Sequence, residues 1–171
     1  PYSRRHPQFS RKPLPAALRT AGIQYGFLGR ECGARSDDPA CYENGTVQYA
    51  RLARTEPFLA GIARLRAGAA KYRLALLCAE RDPLHCHRTL LAARALVAEV
   101  LAVTHILADG TLETQAQALA RLRTQLGLQQ PDLFCDEAEI EALAYRQQEA
   151  RIAYRPAAHA GEDATPPEVR E

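Results

Sequence analysis

The segment from 73 to 101 constrains the fold more than any other part of the chain. A short apolar run, Arg73-Leu74-Ala75-Leu76-Leu77-Cys78, breaks into the polar stretch 79–88 and resumes as a helical pattern over 89–101. A short apolar run closed by turn residues is the mark of a strand buried on both faces. A helix that follows such a strand across a loop is the repeating unit of an α/β fold. Two more segments, 23–28 and 103–107, read as strands. Helices are expected over 14–21, 47–54, 57–70, 111–126 and 136–154. The third carries Phe58, Ile62 and Leu65 on one face, and the fourth has Leu112, Leu119, Leu122 and Leu126 in loose period. Strands alternating with helices predict an α/β three-layer architecture around a mainly parallel sheet.

Three strands are few for such a sheet, and the chain contains no Met, so Pro1 is not expected to be the native start and N-terminal strands are expected to be missing. At 171 residues the length suits one domain. We expect an α/β domain over 1–130, a helical extension over 131–155 and a disordered-looking tail over 156–171. With 47% hydrophobic and 25% charged residues the composition is globular, which excludes wholesale disorder. No stretch reaches the roughly 18 uncharged apolar residues of a membrane-spanning helix.

The net charge of +2 hides an asymmetry. Residues 1–35 hold seven basic side chains against Glu31 alone, and residues 136–171 hold nine acidic against four basic. Of the 22 basic residues 20 are Arg, whose planar fork matches phosphate and carboxylate, although an Arg- and Ala-rich chain is also what a GC-rich genome writes. Five cysteines (32, 41, 78, 86 and 135) form no CxxC pair, and no secretion signal is visible. A reducing, cytoplasmic setting is therefore expected. The turn-rich stretch 29–45 is long for a loop in a compact domain, a length that often accompanies function.

The chemistry concentrates in Cys78-Ala79-Glu80-Arg81-Asp82-Pro83-Leu84-His85-Cys86-His87-Arg88. Such a loop lies where α/β sheets bind ligands, and the following helix offers free N–H groups to an anion. Three readings compete. Arg88 and the helix start hold a phosphate or carboxylate, with Glu80 or a His as acid/base. Alternatively Cys78 or Cys86 is a nucleophile activated by neighbouring His or Arg. In the third, Cys78, Cys86 and one His ligate a metal, with a fourth ligand drawn from elsewhere in the chain. Against these stands packing alone, with both thiols as small buried hydrophobes. One short loop from Cys to Arg, as cysteine phosphatases use, is excluded: Cys78 and Arg88 are ten positions apart and Cys86 and Arg88 only two.

The string Cys78-Ala79-Glu80…Pro83…Cys86-His87-Arg88 resembles the signature of the DUF488 family, a prokaryotic group of uncharacterised function. Tyr2-Ser3-Arg4…Pro7-Gln8-Phe9, Gly22-Ile23-Gln24-Tyr25, Gly33-Ala34-Arg35, Tyr49…Thr55…Phe58 and His105-Ile106…Asp109-Gly110 extend the resemblance over roughly residues 1–126. It implies a Rossmann-like three-layer fold and a shared polar site. Cys32 stands where the family usually has Leu, and Gln115 where a His often stands.

The leading reading is an enzyme of hydrolase or transferase type acting on a phosphate-bearing small molecule or nucleic acid. Cys78, Glu80, Cys86 and His87 are its candidate catalytic residues, and Arg88, Arg4, Arg35 and His85 its candidate substrate contacts. This reading assigns no metal and no cofactor. A thiol- or metal-dependent enzyme on a small molecule and a non-catalytic interaction module are the alternatives.

Overall fold

The computed structural model describes residues 6–128 and 136–156. Arg4, Cys135 and the expected tail beyond 156 lie outside the described residues. Helices dominate: α1 spans Leu14–Thr20, α2 Tyr49–Leu52, α3 Glu56–Ala69, α4 Arg94–Ala98, α5 Gln115–Leu126 and α6 Glu137–Ile152. A π-helical segment, Arg88–Ala93, runs directly into α4. Their starts follow local chemistry. The Thr55 side chain accepts the Phe58 N–H at the head of α3. Thr114 with Gln117, and Asp136 with Glu139, form capping boxes on α5 and α6.

The expected parallel sheet is absent, and the Rossmann-like three-layer class is overturned. The chain is mostly helical, and strand pairing among the described residues is limited to two antiparallel hairpins. One pairs β1, Tyr42–Glu43, with β2, Thr46–Val47; the other pairs β3, Thr104–Ile106, with β4, Leu112–Thr114. An apolar run supplies only the faces of a strand, whereas a sheet also needs a partner for every backbone N–H and C=O. Segments 23–28 and 73–78 belong to no ladder among the described residues. In the second, Leu74 and Leu77 are exposed while Leu76 and Cys78 are half-buried.

Segment 103–107 does contain a strand, but its partner is local. The turn at Asp109-Gly110, with Gly110 at φ 85, sends the chain straight back and pairs Ile106 with Leu112. Leu112 is therefore an exposed strand residue rather than part of a helix face, and α5 begins only at Gln115. The long stretch 29–45 likewise hides a hairpin, turned by Asn44 and Gly45 at φ 48 and φ 71, as a two-residue type I′ turn requires.

Phe58, Ile62 and Leu65 of α3 are buried as their period predicts, in one cluster with Leu84, Leu90 and Leu91, Leu122 of α5, and Ala144 and Tyr145 of α6. The segment 79–93 thus contributes core as well as polar groups. Gly61 admits the preceding loop onto α3: a Cβ there would stand 2.7 Å from both Cys32 Sγ and Glu31 Cβ. Burial first, with Glu31 adding to it, pushes the Cys32 thiol up to about 11, so this thiol stays neutral against the helix.

The Tyr49 N–H at the start of α2 donates to Glu149 Oε1 of α6 across 2.5 Å. Burial raises the Glu149 carboxyl above its ordinary value, outweighing Tyr49 N–H and Arg94, which lower it. A raised folded-state value gives a contribution complete below the unfolded pKa and lost as pH rises through the folded one. Glu149→Gln keeps an oxygen for the Tyr49 N–H. It is expected to match wild type in urea denaturation at about pH 4 and to exceed it at about pH 7. Equal stabilities at the higher pH contradict this account.

Candidate functional site

The site is built by a turn that brings the end of one extended segment under the start of the π-helix. Asp82 caps that turn, its carboxylate accepting the Leu84 N–H at 2.9 Å, and Pro83 begins the 3-10 segment Pro83–His85. Leu84 is buried, and its carbonyl accepts from Gln148 Nε2 of α6 at 2.8 Å. With the turn fixed on both sides, Cys86 points inward at 0% exposure and His87 opens the π-helix. π-Helical turns are rare and recur at functional sites.

Four side chains converge there. One donor atom from each of Cys78, Glu80, Cys86 and His87 lies within 4.8 Å of all the others. His87 Nδ1 is 3.8 Å from Cys78 Sγ and 4.0 Å from Cys86 Sγ. Cys86 Sγ is 3.3 Å from Glu80 Oε2. The hydrogen bond from the Cys78 thiol, then those from His87 and the Arg88 N–H groups, overcome burial and push the Cys86 thiol well below its ordinary value. Its neighbour moves the other way: the bond to Cys86, burial and Glu80 together raise Cys78. A thiolate and a carboxylate cannot share a 3.3 Å contact as bare anions. Either a proton or a cation must lie between them.

Arg88 faces inward. Its Nε–H and backbone N–H both reach Cys86 Sγ, at 3.2 and 3.4 Å. The two ends of the guanidinium donate to Leu76 O at 2.9 Å and Glu80 O at 3.2 Å. The remaining expected contacts lie in other surroundings. The Arg35 guanidinium lies 4.4 Å over the Tyr154 ring after α6, His85 is exposed at the end of its turn, and Arg4 is outside the described residues. A depression of about 440 Å³ is lined by Pro15, Arg19, Gly22, Ile23, Gln24 and Tyr25, none of which belongs to the cluster.

The fourth side chain of the cluster, looked for elsewhere in the chain, is Glu80 of the same loop. Sequence reasoning missed the supports. Arg121 of α5 grips the Glu113 carboxylate at 2.7 and 2.9 Å and the Asp82 carboxylate at 3.1 and 3.2 Å. Although burial opposes it, Arg121 and the Leu84 N–H hold Asp82 below the usual carboxylate range. Gln115 is buried and joins three elements: it accepts from His105 Nε2 at 2.6 Å and donates to Tyr145 Oη and Thr89 O. Burial first, then Glu149, raises the buried Tyr49 hydroxyl, with the neighbouring Cys86 and Glu80 adding to it, so the hydroxyl is held protonated. An i, i+8 spacing of Glu113 and Arg121 offers no sequence signal for the first of these contacts.

Removing the Arg121 fork leaves the nearly buried Glu113 unpaired and frees the Asp82 cap. Arg121→Ala should lower folding stability by about 2 kcal/mol in urea denaturation. A change within about 0.5 kcal/mol means that the fork does not brace this turn.

A family model, "Domain of unknown function DUF488", matches residues 1–95, which is more than half of the chain and includes the whole Cys78–Arg88 loop. No curated protein and no solved structure matches the chain. Among the described residues no helix is long and apolar enough to cross a membrane. The chain belongs to the DUF488 family.

Proposed function

We propose that the protein is a metal-dependent enzyme acting on a small molecule, with Cys78, Cys86, His87 and Glu80 as the metal-facing set. One observation carries this reading: two sulfurs, an imidazole nitrogen and a carboxylate oxygen lie within 4.8 Å of one another. Thiolate and imidazole donors select zinc-class ions over magnesium or calcium. The cation also resolves the contact between Cys86 and Glu80, taking the place of the proton that otherwise bridges them. Arg88 then acts in the manner of outer-shell partners, its Nε–H and backbone N–H steadying the Cys86 sulfur.

A free nucleophilic thiol is the weaker reading, because Cys86, whose thiol is pushed down, is 0% exposed and beyond the reach of a substrate. A phosphate-bearing substrate draws its support from Arg81 and His85, both exposed on the same loop. Arg88, with its donors turned to Leu76 O, Glu80 O and Cys86 Sγ, lends it little. A nucleic-acid partner requires binding to labelled RNA or DNA that weakens steeply with salt.

Metal analysis of the full chain, purified without chelators and with no affinity tag that binds metal, tests the proposal. About one zinc-class ion per chain is expected, falling below about a tenth in Cys86→Ser and His87→Gln. Circular dichroism on both variants separates loss of the site from loss of the fold. Metal-free protein that also takes up no added zinc overturns the reading.

A further inference from the structure

We infer that this is an open metal site: Cys78, Cys86 and His87 hold the ion, while Glu80 stands beside it and leaves the fourth position to water or a small donor ligand. The inference rests on the metal reading proposed above and divides its four donors into two classes. Three observations make the division.

The first is burial. Cys86 is fully buried and Cys78 and His87 are half-buried, whereas Glu80 is exposed. The three nitrogen and sulfur donors form the floor of the site, and the carboxylate is the donor that water can reach and replace.

The second is anchoring. Cys86 receives two N–H groups of Arg88, and the guanidinium also ties down Leu76 O, two residues before Cys78. His87 is held by the π-helix that it opens. At Glu80 only the backbone carbonyl is held, by Arg88. The carboxylate's partners among the described residues are the two thiols themselves. The Glu80 side chain therefore has no anchor apart from the sulfurs of the site itself, whereas Cys86 is fixed by Arg88.

The third is charge and hardness. Two thiolates balance a divalent ion, and the neutral imidazole adds no charge. A carboxylate in the fourth position would make the centre anionic, and among these donors it is the hardest. Left outside, it accepts a hydrogen bond from a water in that position, and a metal ion makes such a water far more acidic than bulk water. Three protein ligands with an exchangeable fourth position are the mark of catalytic rather than structural zinc sites. In this arrangement Glu80 is the proton acceptor for the bound water.

Cobalt(II) is the probe, because its visible bands report coordination and its charge-transfer bands report thiolates. The full chain, Glu80→Gln and His87→Gln would be titrated with cobalt(II) and then with azide as a small test ligand. Glu80→Gln is expected to bind cobalt within about tenfold of wild type with the same thiolate bands, and azide to shift the visible spectrum of both. His87→Gln is expected to lose more than about 100-fold. If Glu80→Gln weakens as much as His87→Gln and azide leaves the spectrum unchanged, the site is closed and Glu80 is a fixed ligand. That result overturns this inference while leaving the metal reading intact. Failure of the wild-type chain to take up either cobalt or zinc overturns both.

Discussion

The Arg88 guanidinium is the interaction on which the site depends. Segment 73–78 belongs to no ladder among the described residues, so backbone pairing does not set its position. One end of the guanidinium takes Leu76 O and the other Glu80 O, and Nε–H reaches the Cys86 thiol. A flat, permanently charged fork does here for an extended segment what a neighbouring strand does elsewhere. Lysine, with a single point of charge, could not span those partners. The same three contacts bring Cys78 and Glu80 to Cys86 and His87, so clamp and site form one unit.

Around that unit the chain uses polar braces with no sheet behind them. Asp82, Glu113 and Arg121 tie the turn to β4 and α5, and Gln148 of α6 holds the Leu84 carbonyl. Gln115 connects His105 in β3 to the π-helix and to Tyr145. Each brace is partly or wholly shielded from water, where a missing partner costs more than a formed bond contributes. The site segment therefore has few alternatives open to it.

What was readable in advance follows from which forces are local. Helix α3 is visible because a face of Phe58, Ile62 and Leu65 is written within a turn or two of sequence. The parallel sheet failed because an apolar run such as 73–78 shows which side chains avoid water and nothing about whether a ladder partner exists. Leu112 departs from its expected helix for a related reason: its spacing to Leu119 fits a helix face, and nothing local shows that the chain after Asp109-Gly110 returns as a strand. In the site, the crowding of Cys78, Glu80, Cys86 and His87 within ten residues was plain. Arg88 turned inward rather than outward, because the carbonyls and the sulfur it satisfies come together only once the turn is folded.

X-ray absorption at the K-edge of the bound metal, on the purified full chain, tests the central claim most directly. The account predicts a first shell with two sulfurs at about 2.3 Å and lighter atoms at about 2.0–2.1 Å. A shell of nitrogen and oxygen alone would contradict it, since Cys78 and Cys86 would then stand apart from the metal.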